Sequence, residues 1–193
     1  MKKFLSLLFI AVFTSYSFSQ ELTTENPEIG FDLAFSSSTL GGNAGIGLKY
    51  SAFQVGDVLV FGPSVRYERT WVKNSFTGVN GGYNVYGGGV FAHTRFYNAI
   101  FLGLEYEILK SPFNSNGFLT GVNSSWAHTL FLGGGFSREF NESFRINAGL
   151  MYDVINADNS PFKRSYSISQ KDANGNIVKI LPIIFRLAFF IRL

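Results

Sequence analysis

The chain has 193 residues with no cysteine, 22 phenylalanines, nine tyrosines and 21 glycines, and only 15% of it is charged. Missing thiols exclude disulfide staples and cysteine-based metal sites, and the charged fraction lies well below the ~25% usual for soluble globular chains. The formal charge of +3 rests on Lys2 and Lys3; without them 14 basic residues face 13 acidic ones, which leaves no case for a nucleic-acid partner.

Lys2 and Lys3 precede an apolar run from Phe4 to Phe13, and Ser17 and Ser19 bracket Phe18 just before Gln20. This is the pattern of a secretory signal, residues 1–19, cleaved after Ser19. The run is shorter than the ~20 apolar residues of a spanning helix, so a membrane anchor is the weaker reading. No lipid-attachment cysteine follows it. Residues 20–193 suit one domain.

From Ile29 onward the chain alternates with a period of two, the signature of strands with one apolar and one polar face. Ile29, Phe31, Leu33 and Phe35 alternate with Gly30, Asp32, Ala34 and Ser36. A Gly41-Gly42-Asn43 turn leads to Ala44, Ile46, Leu48 and Tyr50 against Gly45, Gly47 and Lys49. The third run sets Leu59, Phe61, Val65, Tyr67 and Trp71 against Gly62, Ser64, Arg66, Glu68 and Thr70, with Pro63 marking a bulge. After a loop from Lys73 to Gly82, the fourth sets Tyr86, Val90, Ala92, Thr94 and Phe96 against Gly87, Gly89, Phe91, His93 and Arg95. The short Tyr97-Asn98 turn hands over to Ile100, Leu102, Leu104, Tyr106 and Ile108 against Phe101, Gly103, Glu105 and Glu107.

Beyond a polar loop, Lys110 to Ser125, come Leu130, Leu132, Gly134 and Phe136 against Thr129, Phe131, Gly133, Gly135 and Ser137. The seventh run, after Asn141-Glu142-Ser143, pairs Phe144, Ile146, Ala148, Leu150, Tyr152 and Val154 with Arg145, Asn147, Gly149, Met151 and Asp153. The longest connection, Asn156 to Asn176, carries its own small hairpin around Asn174-Gly175. The last run sets Leu181, Ile183, Phe185, Leu187, Phe189, Ile191 and Leu193 against Pro182, Ile184, Arg186, Ala188, Phe190 and Arg192.

Eight runs with long loops at one rim and short turns at the other predict an all-β, antiparallel, up-and-down, eight-stranded transmembrane β-barrel. The first connection, which is short, is the exception. Runs of about nine residues or more match a tilted bilayer crossing. The polar set is rich in glycine and the apolar set is bulky in every run, which puts large side chains outside and a narrow lumen within. Aromatic girdles are expected at both rims: Tyr67, Trp71, Tyr83, Tyr86 and Trp126 beside the long loops, and Phe96, Tyr97, Phe140, Phe144 and Phe189 beside the short turns.

Phe61-Gly62-Pro63-Ser64-Val65, Glu105-Tyr106-Glu107-Ile108-Leu109, Leu130-Phe131-Leu132-Gly133-Gly134-Gly135-Phe136 and Tyr152-Asp153-Val154 carry a resemblance. On these stretches and its strand pattern, the chain resembles the uncharacterised small eight-stranded outer-membrane β-barrel proteins of Gram-negative envelopes. The resemblance implies a fold and an outer-membrane location, with membrane lipid as surroundings, more than an activity. It also implies engagement of the barrel-insertion machinery through the last strand. Such barrels usually end in an aromatic residue; this one ends in Leu193, with Phe189 and Phe190 close by.

The inward set holds Lys49, Arg66, Arg95, Arg145, Arg186 and Arg192 against Asp32, Glu68, Glu105, Glu107 and Asp153. Unpaired charges there would be costly, so mutual pairing is expected. The register read from the sequence sets Arg66 and Glu68 opposite Gly89 and Gly87, and Glu107 and Glu105 opposite Gly88 and Val90. A central cluster of Arg66, Glu68, Glu105 and Glu107 follows, filling a lumen just wide enough for side chains.

The expected role is structural or surface-interacting, as a monomer without enzymatic activity, cofactor or metal. The rival readings are a lipid-modifying enzyme, a narrow gated channel and a soluble lipocalin-like ligand-binding barrel. An enzyme would draw on His128 beside Ser124, Ser125 and Thr129, without a supporting motif. Gly87-x-Gly89-x-x-Ala92 mimics a dinucleotide fingerprint but lies inside a strand with no helix after it. Asp172-Ala-Asn174-Gly175 is too short for a calcium loop. The loops Ser111 to Ser125 and Asn156 to Asn176 offer surface for an extracellular ligand that their sequence does not name.

Overall fold

The computed structural model describes residues 22–23, 27–38, 41–56, 58–73, 80–113, 125–166 and 168–193; the signal expected over residues 1–19 lies outside them. The strands are β1 (Leu22–Thr23), β2 (Glu28–Ser38), β3 (Gly41–Ser51), β4 (Phe53–Val55), β5 (Leu59–Lys73), β6 (Asn80–Phe96), β7 (Ile100–Ser111), β8 (Ser125–Asn141), β9 (Phe144–Asp153), β10 (Ser169–Lys171), β11 (Ile177–Ile180) and β12 (Ile183–Arg192). A 3₁₀ turn, Pro161–Arg164, lies between β9 and β10.

All pairings are antiparallel. β2, β3, β5, β6, β7, β8 and β9 pair successively, and β12 pairs with both β9 and β2, so the eight long strands close into an up-and-down barrel. Closure leaves no long strand with an unpaired edge. β10 and β11 form the small hairpin expected around Asn174-Gly175, with Gly175 at φ 84°.

Alternation sorts the faces as the sequence indicates, and the sorting is opposite to that of a soluble protein. Asp32 and Glu105 are each 1% exposed inside the barrel, whereas Phe35 is 77% and Phe136 79% exposed outside it. Leu33, Leu102 and Leu150 are likewise about half exposed.

Several sequence expectations need correction. Gly41-Gly42-Asn43 is not the turn of the first hairpin but the start of β3: Ser38 pairs with Gly41 and Ser36 with Asn43. The loop expected from Lys73 to Gly82 is strand at both of its ends, with Trp71 opposite Gly82 and Lys73 opposite Asn80; residues 74–79 lie outside the described residues. β8 begins at Ser125, paired with Ser111. In each case backbone pairing continues through polar and glycine residues that alternation alone reads as loop.

Pro63 does not create a bulge in its own strand, because β5 runs in unbroken register against β6 from Leu59 to Lys73. The irregularity sits across from it. β3 pairs Lys49 with Ser64 and β4 pairs Phe53 with Phe61, so Tyr50, Ser51 and Ala52 stand opposite only Gly62 and Pro63. Proline has no N–H to donate at the point where the neighbouring ladder breaks. Gly62 completes the arrangement: a Cβ there would lie 1.9 Å from the Tyr50 carbonyl oxygen.

The register around the inner glycines also differs. Arg66 stands opposite Gly87 and Glu68 opposite Val85; Glu107 stands opposite Gly89 and Glu105 opposite Phe91. A loop of unknown turn geometry does not fix register, and an odd slip would have turned side chains to the wrong face.

Candidate functional site

The barrel interior is built in layers along its axis. At the short-turn end lies a cavity of about 350 Å³ whose wall includes Glu28, Gln54, Val60, Arg95, Arg145 and Arg192. Arg95 donates from Nη1 and Nη2 to the two oxygens of Glu28 at 2.9 and 2.6 Å, in the fork geometry that suits guanidinium and carboxylate. Arg145 pairs with Glu139 and donates to Ser137 Oγ at 3.1 Å and Asn98 Oδ1 at 3.3 Å. Arg192 forms no ion pair among the described residues and stands in the cavity wall.

Above the cavity, Val60, Phe91, Ala188 and Phe190 make a small apolar layer, with the Arg95 guanidinium 4.8 Å from the Phe190 ring centre. The principal charge layer comes next. Lys49 Nζ lies 2.7 Å from Asp32 Oδ2 and 2.6 Å from Glu105 Oε1. Arg66 reaches Glu107 at 2.8 Å and Asp32 at 3.2 Å, and Arg186 stands 3.4 Å from Glu107 and 3.6 Å from Glu105. His93 Nε2 is 2.9 Å from Glu105 Oε1. Three carboxylates thus face two guanidiniums and one ammonium, with a histidine beside them, and every member is at least 94% buried.

Aromatic faces close this layer toward the long loops. The Arg186 guanidinium lies 5.0 Å from the Phe131 ring and 5.5 Å from Phe162, and Arg66 lies 5.7 Å from Phe162. Phe162 belongs to the connection after β9, which folds back into the barrel mouth. Ser160 caps the 3₁₀ turn through its Oγ and Pro161 supplies a preset φ at its start. Asn159 anchors the segment by donating to Ser125 Oγ at 2.7 Å and to the Trp126 carbonyl at 3.0 Å. Tyr166 donates to Asp153 Oδ2 at 2.9 Å, and burial together with that carboxylate raises its phenol above the usual tyrosine range.

Of the four residues expected at the centre, Arg66, Glu105 and Glu107 lie in the charge layer, joined by Asp32, Lys49, Arg186 and His93. Glu68 does not join them. It is one inward position nearer the long loops, stacked against Gly45, and its Oε1 accepts from Asn43 Nδ2 at 2.7 Å. Asp153 is also apart, bound to Tyr166 and to backbone N–H groups of Leu130 and Asn156. Glu28 and Phe162 were missed by the sequence reading. Glu28 immediately precedes the alternating run, so extending that parity by one step backward finds it; no periodic signal marks Phe162.

Outside, Tyr67, Tyr86 and Trp126 lie exposed near the long loops, and Trp71 is half-buried beside them. Phe140, Phe144 and Phe189 form a chain of ring contacts at the short turns, and Phe96 on β6 has the same outer parity. Tyr83 departs from the expected girdle: two residues before buried Val85, it shares that inward parity and packs edge-on to Phe113. Tyr97 lies in the short turn at φ 50°, almost fully exposed, and contributes to the cavity wall.

The residues considered for catalysis do not converge. His128 is outside the barrel with Nδ1 2.7 Å from the Tyr106 hydroxyl, Thr129 points inward, and Ser125 Oγ donates to the Phe113 carbonyl. Ser124 lies outside the described residues. Among the described residues no group of three or more metal-ligating side chains forms a metal site.

No family model matches the chain, and no curated protein matches it either. Among solved structures it is similar to the Yersinia pestis outer membrane protein Ail, whose backbone structure was determined in a phospholipid bilayer nanodisc. That match has 15% sequence identity and a TM-score of 0.46, and covers 87% of this chain and 99% of the other.

Proposed function

We propose that the protein is an integral outer-membrane barrel with a structural or surface-interaction role, whose lumen is closed by its own side chains. The observation that carries this reading is the inversion of polarity: the buried charge layer sits inside an exterior of exposed leucine, isoleucine, valine and aromatic side chains. Water would leave that exterior as a continuous apolar belt far larger than soluble monomers tolerate. Hydrocarbon removes the conflict, because closure pairs every barrel strand with two neighbours. A soluble ligand-binding barrel requires the opposite orientation of the two faces.

Three features support a closed lumen. Opposite charges are matched within the central layer, Phe162 and Phe131 cover it on one side, and Phe91 and Phe190 lie on the other. An eight-stranded barrel offers little space beyond its own side chains. The exposed connection after β9 and the loop between β7 and β8 are the surfaces left for an external partner.

Cell fractionation tests the reading. The expected result is recovery in the outer-membrane fraction, release only by detergent, and faster migration of the unheated folded protein on a denaturing gel. Recovery in the soluble fraction without detergent would overturn it.

A further inference from the structure

The outer surface separates charge by sign. The carboxylates of the barrel strands, from Glu28 to Asp153, face the lumen or its end cavity, and no described side chain on the outer parity is acidic. Among the described side chains of the barrel strands, outward charge is entirely basic, and at the long-loop end it gathers on one quadrant. Between Arg69 and Arg138 the sequence holds only two acidic residues, Glu105 and Glu107, both 1% exposed in the lumen. The segments 74–79 and 114–124 that join these strands add none.

Register assembles that quadrant. Tyr67, Tyr86, Lys110 and Trp126 occupy one cross-strand row over β5, β6, β7 and β8, and Arg69 stands two residues further toward the rim opposite Asn84. Neighbouring strands lie about 4.8 Å apart and two residues advance about 6.8 Å, so the Arg69 and Lys110 backbones are about 12 Å apart. Two long side chains close that gap around a single headgroup. Neither cation has a counterion among the described residues: Arg69 donates to neutral Asn84 Oδ1 at 2.9 Å, and Lys110 Nζ lies 5.4 Å from the Trp126 ring centre. Tyr86 packs edge-on to Trp126, and His128 occupies the next row opposite Ile108, with Nδ1 2.7 Å from the Tyr106 hydroxyl.

We infer that this quadrant binds the anionic phosphate headgroup of a membrane lipid, held by Arg69 and Lys110 against the Tyr86–Trp126 platform. The inference rests on the outer-membrane reading above. Guanidinium and ammonium supply charge-assisted donors to phosphate oxygens, and the aromatic rings fit the boundary between acyl chain and headgroup. A phosphate supplies the negative charge that the described residues do not give Arg69 and Lys110: Asp158, which precedes the Asn159 bonded to Trp126, is paired with Lys163 at 3.0 Å.

Native mass spectrometry of the folded, detergent-solubilised protein tests it with phosphatidylglycerol, phosphatidylcholine and inorganic phosphate as probes. Phosphatidylglycerol should bind more tightly than phosphatidylcholine, and Arg69→Gln and Lys110→Gln should each weaken it roughly five-fold. Arg138→Gln, at the opposite rim, should leave the tightest site unchanged, and inorganic phosphate should not displace the lipid. Equal retention of the two lipids, wild-type affinity in both loss-of-charge variants, or displacement by free phosphate overturns the inference. Arg69 is exposed and bonded only to Asn84, so Arg69→Gln remains decisive if Lys110→Gln does not fold. Protein that stays soluble without detergent ends the membrane reading itself; folded, detergent-bound protein with no headgroup preference ends only this one.

Discussion

Arg66 donates from Nε to Glu107 Oε1 at 2.9 Å across the inner face of β6, tying together two strands that are not neighbours in the barrel. The intervening strand permits the crossing because Gly87 stands opposite Arg66 and Gly89 opposite Glu107. A pair that bridges alternate strands constrains barrel curvature in a way that a cross-strand pair within one hairpin does not. Arg186 reinforces it from β12, on the other side of the lumen, at 3.4 Å from the same carboxylate.

Removing one partner of this pair should therefore be costly. Arg66→Met leaves Glu107 buried with only the longer contact to Arg186, and the expected loss is about 3 kcal/mol. The double variant Arg66→Met/Glu107→Leu should lose less than the two single losses combined, because no uncompensated charge remains at the pair. Urea unfolding of the folded barrel in lipid vesicles measures both; additive losses would contradict the coupling.

Glycine positions should divide sharply by what surrounds them. At Gly89 a Cβ would sit 1.8 Å from the Tyr106 carbonyl oxygen, a backbone atom that cannot swing aside. Gly89→Ala should cost at least the ~1–3 kcal/mol of an overpacked core. Gly81 has nothing within 4 Å, so Gly81→Ala should stay within about 0.5 kcal/mol of wild type. The same unfolding measurement compares them.

Alternation made the eight strands and their two faces legible, because a barrel with opposite environments on its faces imposes a strict period of two. It did not make contacts legible that depend on curvature. Arg95 meets Glu28 across 67 positions, and Lys49 meets Glu105 across 56, only because closure brings distant strands to one axis. Tyr83 was placed by its nearness to a loop, whereas its parity, shared with Val85, turns it inward. Phe162 had no signal at all: a nonperiodic connection enters the lumen because Asn159 and Ser160 fix its path, and those bonds leave no pattern in the chain.

Phe162 gives a way to separate packing from conduction. It is 4% exposed and lies beside both Arg66 and Arg186, so Phe162→Ala should destabilise the barrel by about 3 kcal/mol. The charge layer below it should nevertheless keep the lumen closed. In planar bilayers the wild type and Phe162→Ala should both lack a stable open conductance; large sustained currents in the wild type would refute a side-chain-filled lumen.

The long connection should respond to pH at both extremes, through different groups. Asp172 Oδ1 accepts from the backbone N–H groups of Asn174 and Asn176 at 2.9 and 2.8 Å, and Asn176 Nδ2 adds a bond to Oδ2 at 3.1 Å. These bonds, those from Asn176 foremost, lower its pKa. The β10–β11 hairpin should thus hold its full stability above the unfolded aspartate value of about 3.9 and lose it as pH falls through the lower folded value. Tyr166 has the opposite sign. Burial raises its pKa, so its contribution is complete below the unfolded tyrosine value of about 10 and declines as pH rises from there toward the folded value. Amide hydrogen exchange measured against pH should show hairpin protection falling at the acid end, a fall that Asp172→Asn removes. Protection near the Asp153–Tyr166 bond, taken relative to the intrinsic exchange rate at each pH, should instead fall at the alkaline end, and Tyr166→Phe should abolish that fall while weakening protection at neutral pH.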